Sequence, residues 1–221
     1  KVFMSATIGE PKTFVKLMGI QSAKVIKLSN DFNYDKSPIV FVNRWKMSLS
    51  HKQESLPKAI RMLDQILTKH KDQRGLIHTG SYEFSRYIGQ HSSHIRRIIE
   101  YNKSSEKEEA LNKFKNGVNG IIMGPSILEG LDFADETCRF QIFFKVPYPS
   151  LGDPLTNAKI QTTPTWYDWK TGITLQQGVG RSIRNKEDWA ITYILDACFS
   201  NIMNKGEFIP ETIRKRIKII K

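Results

Sequence analysis

The chain has 221 residues, with 34 lysines and arginines against 22 acids and a formal charge of +12. That length suits one large domain able to bury a substantial core, and no stretch approaches the ~18 uninterrupted apolar residues of a membrane span. The two cysteines, Cys138 and Cys198, are far apart and form no Cys-x-x-Cys pair, which excludes a zinc or iron–sulfur site built from them and leaves them as reduced, buried thiols of an intracellular protein.

Residues 2–4, Val2-Phe3-Met4, read as strand-like and lead into Ser5-Ala6-Thr7-Ile8, after which Gly9, Glu10, Pro11 and Lys12 interrupt any apolar signal core. Residues 31–37 look like a surface connection. Residues 39–42 read as a strand, and Leu56, Ile60, Leu63 and Leu67 then recur at helical spacing, which predicts a helix with one face on a sheet. A second strand at 75–78 hands over through Thr79, Gly80 and Ser81 to a helix carrying Tyr82, Phe84, Tyr87 and Ile88. Hydroxyls and free backbone donors meeting at such a helix start make a ready phosphate site; the plainer reading, that Thr79 or Ser81 caps the helix, is compatible with it.

Ser105 with Glu108 forms a capping-box pattern, with acids early, Lys113 and Lys115 late and Gly117 as the stop. Further strands are expected at 120–123, 140–144 and 191–195. After the first of these, Gly124, Pro125 and Ser126 form a turn, followed by Glu129-Gly130-Leu131-Asp132-Phe133. Trp166, Tyr167 and Trp169 lie at helical spacing and read as core rather than as a base-stacking platform. Gln177-Gly178-Val179-Gly180-Arg181-Ser182-Ile183-Arg184 is read as a helix with Gln177, Arg181 and Arg184 on one side and Leu175, Val179 and Ile183 opposite. Each glycine costs about 1 kcal/mol there against alanine, a cost that close approach of a backbone or a nucleotide would explain, and paired guanidiniums match phosphate geometry. A solvated basic face is the alternative. Ile213, Ile217 and Ile220 suggest a docked tail helix over residues 210–221. The five histidines show no metal-ligand pattern, and the excess charge favours polyanionic partners, although solubility alone explains it as well. Apolar runs alternating with helical patterns indicate an α/β domain with a mostly parallel sheet and helices on both faces.

Ser5-Ala6-Thr7, Thr79-Gly80-Ser81-Tyr82, Ser126 through Phe133 and Gln177 through Arg184 occur in an order that resembles motifs III to VI of superfamily two helicases, most closely the XPD/DinG branch. Lys145-Val146-Pro147-Tyr148-Pro149 with Asp153-Pro154 is similar to that branch's loop between motifs V and VI. The resemblance implies a RecA-like second motor domain spanning residues 9–221, preceded in 1–8 by the severed end of a first motor domain. The sequence has no phosphate-cradling Gly-x-x-x-x-Gly-Lys-Ser/Thr loop and no acidic magnesium box, so ATP and Mg2+ are expected on that first domain. No iron–sulfur cluster is expected within the chain. The resemblance further implies arginine fingers at Arg181 and Arg184 with Gln177 beside them, nucleotide-side roles for Gly130, Asp132 and Gly180, and coupling through Ser5, Ala6 and Thr7. It implies contacts to single-stranded or forked DNA from Thr79, Ser81, Tyr82, Ser126 and Glu129, and no membrane partner. The expected compartment is the cytoplasm, or the nucleus in a eukaryote. A clamp that keeps the helicase shape without the motor is the other class, and intact Gln177, Arg181 and Arg184 argue against it.

Overall fold

The computed structural model describes residues 1–28, 34–117, 120–125, 127, 135–183 and 187–220. In chain order the regular elements are α1 (Pro11–Leu17), β1 (Ile39–Trp45), α2 (Lys52–Lys69), β2 (Gly75–His78), α3 (Tyr82–His91), β3 (Ile98–Glu100), α4 (Lys107–Asn116), β4 (Ile121–Gly124), β5 (Phe140–Phe143), α5 (Pro154–Thr162), α6 (Trp166–Val179), β6 (Ile191–Asp196), α7 (Phe199–Met203), α8 (Glu211–Arg214) and β7 (Ile217–Ile220). The strands form one sheet in the order β3-β4-β2-β5-β6-β1-β7, and each neighbouring pair is parallel. Continuous apolar strands such as Ile121-Ile122-Met123 suit such a sheet, because both of its faces are covered.

Alternation along each strand divides the core. Ile77, Met123 and Ile142 face α2 and α3, where Leu63, Leu67, Phe84 and Ile88 close over them. On the other face Leu76 and Ile122 meet Leu111 and Phe114 of α4, while Ile39, Phe41, Phe143 and Ile194 meet Leu175 and Val179 of α6 with Phe199 and Ile202 of α7. Helix α6 lies so close to the segment before α8 that a Cβ at Gly172 would stand 2.3 Å from the Phe208 carbonyl oxygen, so only glycine fits there.

Several local expectations change. Residues 2–4 form no strand; Phe3 instead packs edge-on against Phe14 of α1 at 5.8 Å. Glu10 caps α1 by accepting from the Lys12 and Thr13 amides. The Ser105–Glu108 capping box does not form, because residues Ser104–Glu106 make a 3-10 turn and α4 starts at Lys107 without a side-chain cap bond. The tail is not one helix: α8 ends at Arg214, and Ile217–Ile220 pairs with β1 from Ile39 to Val42. Unpaired amides and carbonyls on the outer edge of β1 favour that ladder over a solvated helix.

Candidate functional site

The arginine segment is held from three sides. Helix α6 stops at Val179, and Gly180 is its C-cap, with its amide on the Gln176 carbonyl at 3.1 Å. Arg181 therefore occupies a turn, its own amide donating to the Gly178 carbonyl, and the expected single helical face for Gln177, Arg181 and Arg184 is corrected. Glycines at 178 and 180 weaken the helix where it ends. Among the described residues, a Cβ at Gly180 would meet the preceding turn's own carbonyls, Gln176 O at 3.3 Å and Gln177 O at 3.7 Å. Arg184 lies outside the described residues.

Beneath this turn a polar row crosses the sheet. Gln141 Nε2 donates to Thr192 Oγ1 at 3.0 Å and to the Val179 carbonyl at 3.4 Å, so its Oε1 is the acceptor facing His78 Nε2 at 3.2 Å. That bond assigns the His78 proton to Nε2. His78 Nδ1 is buried with no hydrogen-bond partner among the described residues, and the ring stacks on Phe143 at 4.5 Å. Burial pushes the His78 pKa down to about 4; the Gln141 bond opposes this, and the positive charge of nearby Arg181 adds to it. Ser182 is buried with its Oγ 3.4 Å from Cys138 Sγ, and burial pushes that thiol up to about 12, so it stays protonated.

From the outer side, the N-terminal segment lies against α6. Gln177 Nε2 donates to Thr7 Oγ1 at 3.3 Å, and Trp169 Nε1 donates to the Ile8 carbonyl at 3.1 Å. Gly9, at φ +77, tucks against Ile173 and Trp169. Ser5 and Ala6 are exposed, with the Ser5 hydroxyl accepting from the Thr7 amide. The aromatic trio is structural: Trp166 is buried, Trp169 holds the N-terminal segment and Tyr167 stacks on Tyr148 at 5.3 Å.

At the C-terminal rim of the sheet, Thr79 is fully buried. Its hydroxyl donates to the Ser81 carbonyl at 3.1 Å and pairs with Ser85 Oγ at 2.8 Å, and its amide bonds the Gly124 carbonyl. Gly80 turns the chain at φ +71. Ser81 caps α3 by accepting from the Phe84 amide at 3.3 Å. Tyr82 is half-buried, edge-on to Tyr101 with its hydroxyl 3.2 Å from Ser104 Oγ. The half-buried Ser81 side chain and the α3 start thus present the outward polar groups, while Thr79 braces them from inside. Ser126, Glu129, Gly130 and Asp132 lie outside the described residues.

Three residues of this region escape sequence reasoning. Gln141 is one polar letter in an apolar strand. Lys145 extends past Gly80, with its Nζ 5.0 Å from the Phe84 ring centroid. Asp196, 1% exposed, accepts from the Met47 and Cys198 amides through Oδ1 and from the Val146 amide through Oδ2, so one carboxylate ties the loops after β1, β5 and β6. An acid closing an apolar strand was the available signal for it. Among the described residues no group of three metal-ligating side chains occurs; the donors on the α6 side are a guanidinium and an amide, which suit phosphate oxygens rather than a cation. No helix among the described residues is long and apolar enough to cross a membrane.

Comparison with known proteins fits this arrangement. The helicase C-terminal domain family matches residues 63–216. ATP-dependent DNA helicase YoaA of Escherichia coli (strain K12) is 24% identical over 207 residues, covering 88% of this chain and 32% of that protein. The Fanconi anemia group J protein homolog of Gallus gallus is 31% identical over 109 residues, 42% of this chain and 9% of that protein. The chain spans about a third of the length of YoaA. A solved XPD helicase superposes with a TM-score of 0.70 at 15% identity, covering 98% of this chain and 42% of that one. S. cerevisiae Dbp5 bound to RNA and ADP BeF3 gives 0.57 at 13% identity over 98% of this chain and 50% of that one. These likenesses show a RecA-like fold, and with the family match over most of the sheet the chain belongs to the helicase C-terminal domain family, in the XPD/DinG branch of superfamily two.

Proposed function

We propose that the chain is the second motor domain of an ATP-dependent DNA helicase, acting across a cleft on ATP and Mg2+ held by a first motor domain of the same protein. The observation that carries this reading is the bond from Gln177 to Thr7, which sets the Ser-Ala-Thr element against the helix that leads into the Arg181 turn. Residues 1–8 are proposed to be the end of the first domain; exposure of Val2 and Met4, 85% and 90%, gives that domain an apolar contact. The bound nucleotide supplies the phosphoryl group whose transfer to water releases energy. This chain's part is electrostatic: Arg181 and Arg184 stabilise charge on the γ-phosphate oxygens, Gln177 reports that state to Thr7, and Gly180, Gly130 and Asp132 shape the nucleotide side. Ser81, Tyr82, Ser126 and Glu129 hold single-stranded DNA, with Thr79 fixing the α3 start behind them. Loss of the γ-phosphate removes the anion that draws both guanidiniums across the cleft, so the domains open while the strand contacts persist.

The test is made in the two-domain protein. Arg184→Ala abolishes DNA-stimulated ATP hydrolysis and leaves ATP binding intact; unchanged turnover refutes the finger assignment. The 221-residue chain alone hydrolyses no ATP, with or without DNA.

A further inference from the structure

The C-terminal end of β1 carries a group of residues that the proposed sites leave unused. Trp45 is half-buried, one side packed on the core beneath α2. Arg44 and Lys46 on either side of it are exposed, and the Arg44 guanidinium lies 6.0 Å from the Trp45 ring centroid. Lys58 and Arg61 reach over from the outward side of α2. Two adjoining shallow hollows, of about 340 and 350 Å³, share Arg44, Trp45 and Lys58 as walls. The single carboxylate among their linings, Glu54, pairs with Lys58 at 2.6 Å and is itself largely exposed.

The location gives this chemistry a direction. Lys52 Nζ bonds Glu83 Oε1 at 2.5 Å, which ties the first turn of α2 to the first turn of α3, immediately after Ser81 and Tyr82. Because β1 and β2 run parallel in one sheet, Trp45 at the end of β1 and the α3 start after β2 lie on the same rim. We propose that Trp45 with Arg44, Lys46, Lys58 and Arg61 is a second contact for single-stranded nucleic acid, continuing the strand beyond α3. One base stacks on the indole face while the flanking phosphates meet the cations. Open, shallow hollows do not enclose a free nucleotide, but they suit a polymer anchored elsewhere, and a paired duplex offers no free base face to Trp45. The inference rests on the strand-gripping role proposed above and names further residues for it.

The 221-residue chain and fluorescent oligo(dT) of about 4 to 16 nucleotides test it by anisotropy. Trp45→Ala weakens the longest oligonucleotide about tenfold, Trp45→Phe restores most of that loss, and duplex of equal length shows no dependence on residue 45. Lys46→Gln with Arg61→Gln, both outside the core, flattens the slope of log affinity against log salt by about 1.4. If Trp45→Ala unfolds the chain, as its melting curve would reveal, this double variant decides. Wild-type binding combined with an unchanged slope in the double variant, or with unchanged affinity in a folded Trp45→Ala, overturns the second contact alone. Absence of binding by the wild-type chain at every length overturns the strand-gripping role itself.

Discussion

His78 makes the stability of the fold acid-sensitive in a defined window. Its ring is neutral in the native state because burial holds its pKa near 4, against 6.5 for the free side chain. The folded value is depressed, so the contribution is intact above pH 6.5 and is lost progressively as pH falls from there to about 4, since the unfolded chain takes up a proton that the native state refuses. A displacement from 6.5 to about 4 corresponds to roughly 3 kcal/mol once both states are protonated, of which about 2 kcal/mol is already lost at pH 5. His78→Phe keeps the stacking on Phe143 and removes the titration. At pH 7.5 the variant gains by deleting the orphaned Nδ1 and loses by stranding Gln141 Oε1, each worth about 1–3 kcal/mol, so its stability there stays close to wild type. Urea unfolding between pH 8 and pH 5 gives the assay: wild type falls about 2 kcal/mol more than the variant. Carboxylates, and His70, whose pKa burial also lowers, cancel in the difference. Parallel curves would refute the assignment of His78 as a buried neutral imidazole.

Two further substitutions probe the scaffold around the site. Asp196→Asn leaves one acceptor oxygen where two now serve the Met47, Cys198 and Val146 amides, so it lowers unfolding free energy by about 2–3 kcal/mol at pH 7; a urea midpoint equal to wild type contradicts the three-loop tie. Gly172→Ala would stabilise an ordinary helix interior by about 1 kcal/mol, but contact with the Phe208 carbonyl reverses the sign to about 1–3 kcal/mol of destabilisation. The direction of the melting-temperature change alone decides.

The central strands and the α2 stripe were readable in the sequence because continuous apolar runs and a helical apolar repeat have few alternative folds. Two strands were not. Ile98-Ile99-Glu100 is only three residues long beside two arginines, and Ile213, Ile217 and Ile220 match a helical repeat although the last two lie in an edge strand exposed from Lys218 to Ile220. There pairing with β1, invisible to local periodicity, decides the conformation. Helical spacing extends past Gly180 on paper, whereas two glycines stop α6 at Val179. Motif order located Gln177 and Thr7 separately, but their contact spans 170 positions and emerges only when the N-terminal segment lies along α6. The His78–Gln141–Thr192 row is equally non-local: each member is an isolated polar letter in an apolar strand, and only strand order makes them neighbours.

The placement of β7 bears on where this unit can be cut. Family similarity starts at residue 63, inside α2, and stops at 216, one position short of β7. A piece trimmed to those limits would shed β1 and β7, the two strands at one side of the sheet, and bare the ladder of β6, whose Thr192, Tyr193 and Ile194 now pair with Ile39, Val40 and Phe41. A bared central strand of that composition is a template for intermolecular sheet growth. Proteolytic dissection should therefore yield a soluble, cooperatively melting piece only when 39–45 and 217–220 survive together.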